Sequence, residues 1–380
     1  MQEPPPSSRN SDKLLFTPGP LTTSLGVKQA MLHDAGSWHY EFNELVRGLR
    51  SKLLALAGLT TADGYEVVLM QGSGTFGVES VIGSVIPPHG RLLVIANGAY
   101  GERIAQMADR LGIQHQVLRF AENAPADPAE IDRALANDAG LSHVAVVHCE
   151  TTTGLLNPVE AIGRDVQRHQ RVFIVDAMSS FGALPIHFKS AGVSYLVSSP
   201  NKCLEGVPGF SFVFAQRDKL LATAGWARSL SLDLMAQWQG FEKNGQFRFT
   251  PPTHSVLAFA EALRELEREG GLPARRRRYE ANHRRLLDGM GVMGFRPFLS
   301  PAALSCIITA FHCPRDAHFE FSKFYRGLSD RGFIIYPGKL TQAETFRIGT
   351  IGRIFESDIE RLLGAVKECV LELGIQLPVS

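Results

Sequence analysis

The chain has 380 residues, 44% of them hydrophobic and 20% charged, and carries a formal net charge of +1 at pH 7. That balance belongs to an ordinary globular protein long enough for two domains, or one large domain and a smaller partner. It gives no reason to expect a nucleic-acid or anionic-membrane partner, and no apolar run approaches the roughly 18 residues of a membrane span.

The opening "MQEPPPSSRNSDK" has no hydrophobic core for a signal peptide, and residues 1–12 read as a disordered tail. From 60 to 215 short β-branched runs alternate with helical segments. "YEVVLM", "RLLVIA", "HVAVVH", "RVFIVD", "SYLVSS" and "FSFVFA" read as strands, "GERIAQMADRLG" and "VEAIGRDVQRHQ" as amphipathic helices. Continuous apolar strands between helices predict an α/β domain whose mostly parallel sheet is covered on both faces. At about 255 the pattern changes to a long helical region broken at "EGGLP". The run "ARRRRYEANHRR" (274–285) reads as a solvated helix face among acidic neighbours. "SCIITAFH", "HFEFSKFYRGLSDRG", "FIIYPG", "TFRIGTIG" and "ESDIERLLGAVKECVLELG" then predict a smaller α+β domain, and no internal repeat is visible. Cysteines 149, 203, 306, 313 and 369 form no CxxC pair and have no histidines at ligand spacing; reduced thiols in a cytoplasmic protein, with no metal, are expected.

In parallel sheets ligands bind beyond the carboxyl ends of the strands. The stretches that follow the predicted strands are "QGSGTFG", "NGAYG", "CETTTG", "DAMSS" and "PNKCLEG", five polar ends, four of them carrying glycine, at one edge. "GSGTFG" (72–77) fits G-x-G-x-x-G, but the dinucleotide reading wants an acidic residue closing the next strand, and Ala96 and Asn97 stand there. What remains is a glycine turn whose amides can cradle a phosphate at Ser73, Gly74 and Thr75, or a tight turn with no ligand. Asp176, directly after "RVFIV", is either a helix cap or a buried carboxylate in need of a cationic partner such as a protonated pyridine nitrogen. Lys202, one strand later, is either a loop lysine or an amine placed to form an imine with an aldehyde. Phosphate cradle, aspartate and lysine together are the constellation that pyridoxal phosphate requires. Lys339, in "YPGKLTQ", belongs to the second domain, away from these strand ends, and is rejected as the imine former.

"TPGPLTTS" (17–24), "QGSGTFGVES", "NGAYGERI", "CETTTGLLNP", "VDAMSSFGALPI", "NKCLEGVPGF", "RSLSLDL", "RFTPPTHS", "YPGKLTQ" and "FRIGTIG" resemble the 2-aminoethylphosphonate:pyruvate aminotransferases, class V members of the fold-type I pyridoxal phosphate enzymes. The resemblance runs from about residue 13 to 370, in order. It implies a large cofactor-binding domain over 13–254 and a linking helix with a small C-terminal domain over 255–380. It also implies that Lys202 forms the imine with pyridoxal 5′-phosphate and Asp176 partners its ring nitrogen. Ser73, Gly74, Thr75 and Asn201 would hold the phosphate, Tyr100 would stack on the ring and Thr151 would bond the pyridoxal hydroxyl. Thr253 would come from the neighbouring subunit of a homodimer, and Arg347, in "FRIG", would grip the substrate's acidic group. Its planar fork suits a carboxylate or phosphonate; a surface salt bridge is the plain alternative.

The implied reaction is ping-pong: 2-aminoethylphosphonate leaves as phosphonoacetaldehyde, and pyruvate collects the amine as L-alanine. An alanine or serine:glyoxylate aminotransferase would share most cofactor contacts, although "RSLSLDL" and "RFTPPTHS" favour the phosphonate enzyme. A non-catalytic binding protein on the same fold would lack the lysine or the aspartate, and both are present. In "SWHYEF" (37–42) His39 and Tyr40 stand where members of the family carry acidic residues, either at the substrate entrance or as a surface substitution.

Overall fold

A computed structural model describes residues 12–340 and 343–379. Of the expected disordered tail only Asp12 falls within them, and its carboxylate pairs with Lys28 at 2.7 Å; residues 1–11, like Thr341 and Gln342 of "YPGKLTQ", lie outside.

Seven strands form the central sheet, labelled in chain order β1 (Tyr65–Gln71), β2 (Arg91–Ala96), β3 (Gln114–Arg119), β4 (Leu141–Val147), β5 (Val172–Asp176), β6 (Tyr195–Ser198) and β7 (Phe210–Gln216). Their spatial order is β1-β7-β6-β5-β4-β2-β3, and only β7 runs antiparallel to its neighbours. Six of the seven are the runs read from the sequence. The seventh, β3, escapes that reading because it is an edge strand, half exposed, with the mixed sequence "QHQVLR". Buried strands such as β1 and β4 are apolar on both faces because helices cover both.

A second sheet joins β8 (Ile308–His312), β9 (Tyr336–Pro337) and β10 (Thr345–Gly349), with β10 in the middle. Its core contains Phe311, Phe324, Phe346, Ile348, Leu362 and Val366, together with Phe16 from the start of the chain. Leu14–Leu15 pairs in parallel with Phe333–Ile334 as a small separate ribbon, and the Gly349 amide donates to the Phe16 carbonyl at 2.9 Å, which ties the N-terminal segment to the C-terminal sheet. The helix Thr253–Glu269 packs into the larger core through Val256, Phe259, Leu263 and Leu266, whereas Leu286 and Met290 of the next helix, Gly271–Val292, enter the smaller one. Gly270 and Gly271, both at positive φ, make the break between them.

The arginine run is helical, as its pattern predicts, but it is not a solvated face. Arg275, Tyr279 and Asn282 are buried and Arg278 is half-buried, and the two arginines pair with Glu205 and Glu269. A stripe at i, i+3, i+4 and i+7 faces inward, and its charges are matched there.

Candidate active site

Asp176 ends β5, opposite Val147 of β4 and Val197 of β6. Its buried carboxylate accepts the Met178 amide at 2.9 Å and has no ion pair among the described residues. Burial raises its pKa to about 6, against the pull of the Met178 hydrogen bond, Lys202 and Arg103.

Lys202 lies in the turn after β6, which is closed by bonds from the Glu205 amide to the Lys202 carbonyl and from the Gly206 amide to the Pro200 carbonyl, both 2.8 Å. The residue as a whole is half-buried, yet its amine is enclosed: Nζ donates to the Pro18 carbonyl at 3.0 Å, beneath the "TPGP" segment. Burial lowers its pKa to about 8; Cys203 and Asp176 oppose that shift, while Arg347 and Lys339 add to it. Lys339 is thus within electrostatic reach of the site, nearer than its place in the second domain suggests. Gly19 has φ +118°, and a Cβ there would stand 2.5 Å from Lys202 Cδ. Only glycine lets the segment lie on the lysine.

Ser73 is the exposed N-cap of the Gly74–Val85 helix, its hydroxyl uncommitted to a capping bond. The amides of Gly74 and Thr75 open that helix and have no carbonyl within it to bond, so they present the positive end of the helix dipole. A Cβ on Gly74 would overlap Met178 Sδ, which brings this turn against the segment that leaves Asp176. The Thr75 hydroxyl accepts from Arg103 at 3.4 Å, and the Arg103 guanidinium stands 4.7 Å from the centre of the Tyr100 ring.

Tyr100 lies in the first turn of the Ala99–Arg110 helix, where Glu150 accepts its amide at 3.2 Å and that of Gly101 at 3.4 Å. Glu150 is buried, and burial raises its pKa to about 7 against the bonds from Thr152, Gly101 and Tyr100. Thr151 is buried beside it, and its carbonyl accepts Arg347 Nη1 at 2.8 Å. Arg347, in β10, is itself buried; its Nε donates to the Pro337 carbonyl at 3.0 Å, and Tyr336 lies 5.7 Å below its guanidinium carbon. Burial lowers the Arg347 pKa, with Tyr100, Tyr336 and Glu150 opposing.

These contacts connect Asp176, Lys202, the Ser73–Thr75 turn, Tyr100, Thr151 and Arg347. Asn201 is half-buried next to Lys202. Thr253 opens its helix over the entrance to β7, where Ser255 donates to the Pro208 carbonyl at 2.8 Å, and it makes no hydrogen bond to the other groups among the described residues. His39 and Tyr40 begin the Tyr40–Leu56 helix with their rings 4.4 Å apart and exposed. Sequence reasoning missed Glu150, Arg103 and the cover on Lys202; a lone glutamate in the Thr-rich "CETTTG" was the available signal for the first. A cavity of about 880 Å³ under the N-terminal strand, lined by Thr23, Gln29, Arg331, Arg353 and Asp358 among others, touches none of the assigned residues. Among the described residues no helix is long and apolar enough to cross a membrane, and no cluster of metal-ligating side chains occurs.

Residues 26–319 match the family model for aminotransferase class V. The chain is 50% identical over 363 residues to the 2-aminoethylphosphonate–pyruvate transaminase of Salmonella paratyphi C, covering 95% of this chain and 98% of that one. It is also 50% identical to the enzyme of the same name from Syntrophobacter fumaroxidans, covering 97% and 100%. Among solved structures it is similar to pyridoxamine-pyruvate aminotransferase from Mesorhizobium loti, at TM-score 0.87 and 23% identity over 97% of this chain and 94% of that one. Ureidoglycine-glyoxylate aminotransferase from Bacillus subtilis gives TM-score 0.88 at 21% identity, over 97% and 95%.

Proposed function

The chain belongs to the class V aminotransferases, and from that premise we propose that it binds pyridoxal 5′-phosphate and moves the amino group of 2-aminoethylphosphonate to pyruvate. The products are phosphonoacetaldehyde and L-alanine, formed in a ping-pong sequence. The observation that carries the reading is a buried Asp176 carboxylate beside the covered amine of the half-buried Lys202, in a site completed by the buried Arg347. The choice of substrates rests on relatives of that name at 50% identity along nearly the whole chain.

The residues fit the cofactor. Asp176 is a buried carboxylate with no ion-paired cation of its own among the described residues, and a protonated ring nitrogen would supply one. The Ser73–Thr75 turn offers a free hydroxyl and two helix-opening amides to a phosphate. When bound, pyridoxal phosphate supplies the aldehyde that carries the amine and a ring that absorbs the electrons of a broken C–H bond.

The protein's own part is binding and proton handling. Asp176 keeps the proton on the ring nitrogen, and Lys202 Nζ carries one between carbon atoms, its lowered pKa leaving far more neutral amine near pH 8 than a solvent lysine has. Ser73, Gly74, Thr75 and Asn201 would hold the phosphate, Tyr100 would lie against the ring and the Thr151 hydroxyl would bond the pyridoxal oxygen. Arg347 receives the phosphonate of one substrate and the carboxylate of the other in turn. We assign Thr253 to the neighbouring subunit's site in a homodimer, for which the exposed Leu32, Trp38 and Tyr40 supply apolar surface. Five unpaired thiols accord with a cytoplasmic location.

The test is the visible spectrum of the purified enzyme. Adding 2-aminoethylphosphonate without pyruvate should bleach the band of the lysine-bound cofactor, and pyruvate should restore it. Bleaching by alanine or serine with no response to 2-aminoethylphosphonate would move the enzyme to glyoxylate chemistry. No band at all after reconstitution would end the cofactor reading.

A further inference from the structure

Lys202 and Arg347 come from different sheets and different cores, yet a transaminase must hold the amine-bearing carbon at one while gripping the acid at the other. Their spacing is therefore a property the fold has to enforce. One buried cluster connects the two segments that carry them.

Arg278 uses all five of its guanidinium N–H groups. Nε donates to Glu269 Oε1 at 2.8 Å, and Nη2 to Glu205 Oε1 at 2.7 Å and Glu269 Oε2 at 3.2 Å. Nη1 donates to the carbonyls of Gly352 at 2.6 Å and Ile354 at 3.0 Å, in the loop that leaves the Arg347 strand. On the other side, Glu205 closes the Lys202 turn with its own amide and stands at φ +57°, a left-handed conformation that a glutamate keeps only where its surroundings fix it. Tyr279 completes the circuit, donating to Glu205 at 2.6 Å while accepting from the Gly352 amide at 3.3 Å. Arg275, fully buried, adds a bond to the Cys203 carbonyl at 2.9 Å and an ion pair with Glu269 at 2.7 Å. Two carboxylates face two guanidiniums, so the cluster is neutral, and none of its members reaches the reacting groups.

We infer that Arg278 is a positioning residue: it clamps the Lys202 turn to the loop after the Arg347 strand and so fixes the distance between lysine and arginine. A surface ion pair would yield at this joint, whereas a saturated, planar guanidinium whose side chain is only 9% exposed, against carboxylates 2% and 4% exposed, does not. The inference rests on the roles proposed for Lys202 and Arg347.

Arg278→Lys keeps the charge but can make at most three of the five bonds. In the cofactor-loaded enzyme KM for both donor and acceptor should rise about tenfold, because a small misplacement of the gripping group weakens productive binding. The visible band per folded chain should stay unchanged. Glu205→Gln keeps the Oε1 acceptor and removes the charge; it should move KM the same way, about threefold, and it decides the matter if Arg278→Lys does not fold. A lowered Tm with unaltered KM in the variants would overturn the inference, because scaffolding alone would then account for the cluster. Failure of the functional reading shows separately, in the unsubstituted enzyme, as no bleaching by 2-aminoethylphosphonate. The same KM comparison is then made with whichever acid pair does bleach it, so the clamp is decided either way.

Discussion

At Asp176 the cofactor-free chain carries a burden. Its carboxylate is buried and its pKa is raised from 3.8 to about 6, so the folded state binds a proton that the unfolded state releases between those values. Folding stability therefore falls as pH rises through this window, by about 3 kcal/mol from Asp176 alone. Asp176→Asn should melt several degrees above the parent at pH 8 when both are cofactor-free, and the gap should close below pH 4. Equal melting curves at pH 8 would refute the burial argument. In the loaded enzyme the same substitution should cost at least a hundredfold in kcat, since the ring nitrogen loses its partner. Gly19→Ala tests the cover on the lysine: its Cβ would stand 2.9 Å from Lys202 Nζ at a φ that alanine avoids. Turnover should drop at least tenfold with little change in secondary structure, as checked by steady-state kinetics and circular dichroism. Much of the site is legible in the sequence, because Ser73, Tyr100, Thr151, Asp176 and Lys202 stand at or just past the end of a strand in a short polar stretch. The Pro18 carbonyl over Lys202 is not, since the two are 184 residues apart and no pattern in "TPGP" announces its partner.

Among the elements, strands with unbroken apolar runs announced themselves, and the half-exposed edge strand β3 did not, because it has only two apolar residues, Val117 and Leu118, both half-buried. The buried arginines illustrate the opposite error. Charge within one helix reads as surface unless the partners are known, and Glu205 lies 73 residues from Arg278 in the chain. The helix Thr253–Glu269 is read correctly as helical, but its role is to seal the sheet. Phe259 stacks on Phe212 with ring centres 6.1 Å apart and meets Phe210 edge-on at 5.5 Å. Phe259→Ala should lower stability by about 3–5 kcal/mol, measured by denaturant unfolding; a loss under 1 kcal/mol would mean that the helix is held by something other than this contact.

For the molecule as a whole, Leu32, Trp38 and Leu230 are each at least 75% exposed in the single chain. Single exposed apolar residues are ordinary, and in the homodimer proposed above we expect a second copy to cover some of these. Sedimentation should give twice the chain mass, and Trp38→Glu should shift the protein toward monomer with loss of turnover if Thr253 serves the neighbour's site. A fully active monomer would refute the shared site. The N-terminal strand has a further consequence. Lys13 bonds Ser329, 316 residues away, and Leu14 pairs with Phe333. On the ribosome the Leu14–Leu15 strand must therefore wait for residues 329–334 to emerge before it can dock and close over Lys202. The larger core can assemble during translation, but the reactive amine stays uncovered until Phe333–Ile334 and the sheet beside it are made, so synthesis of that later segment is what times the birth of the active site.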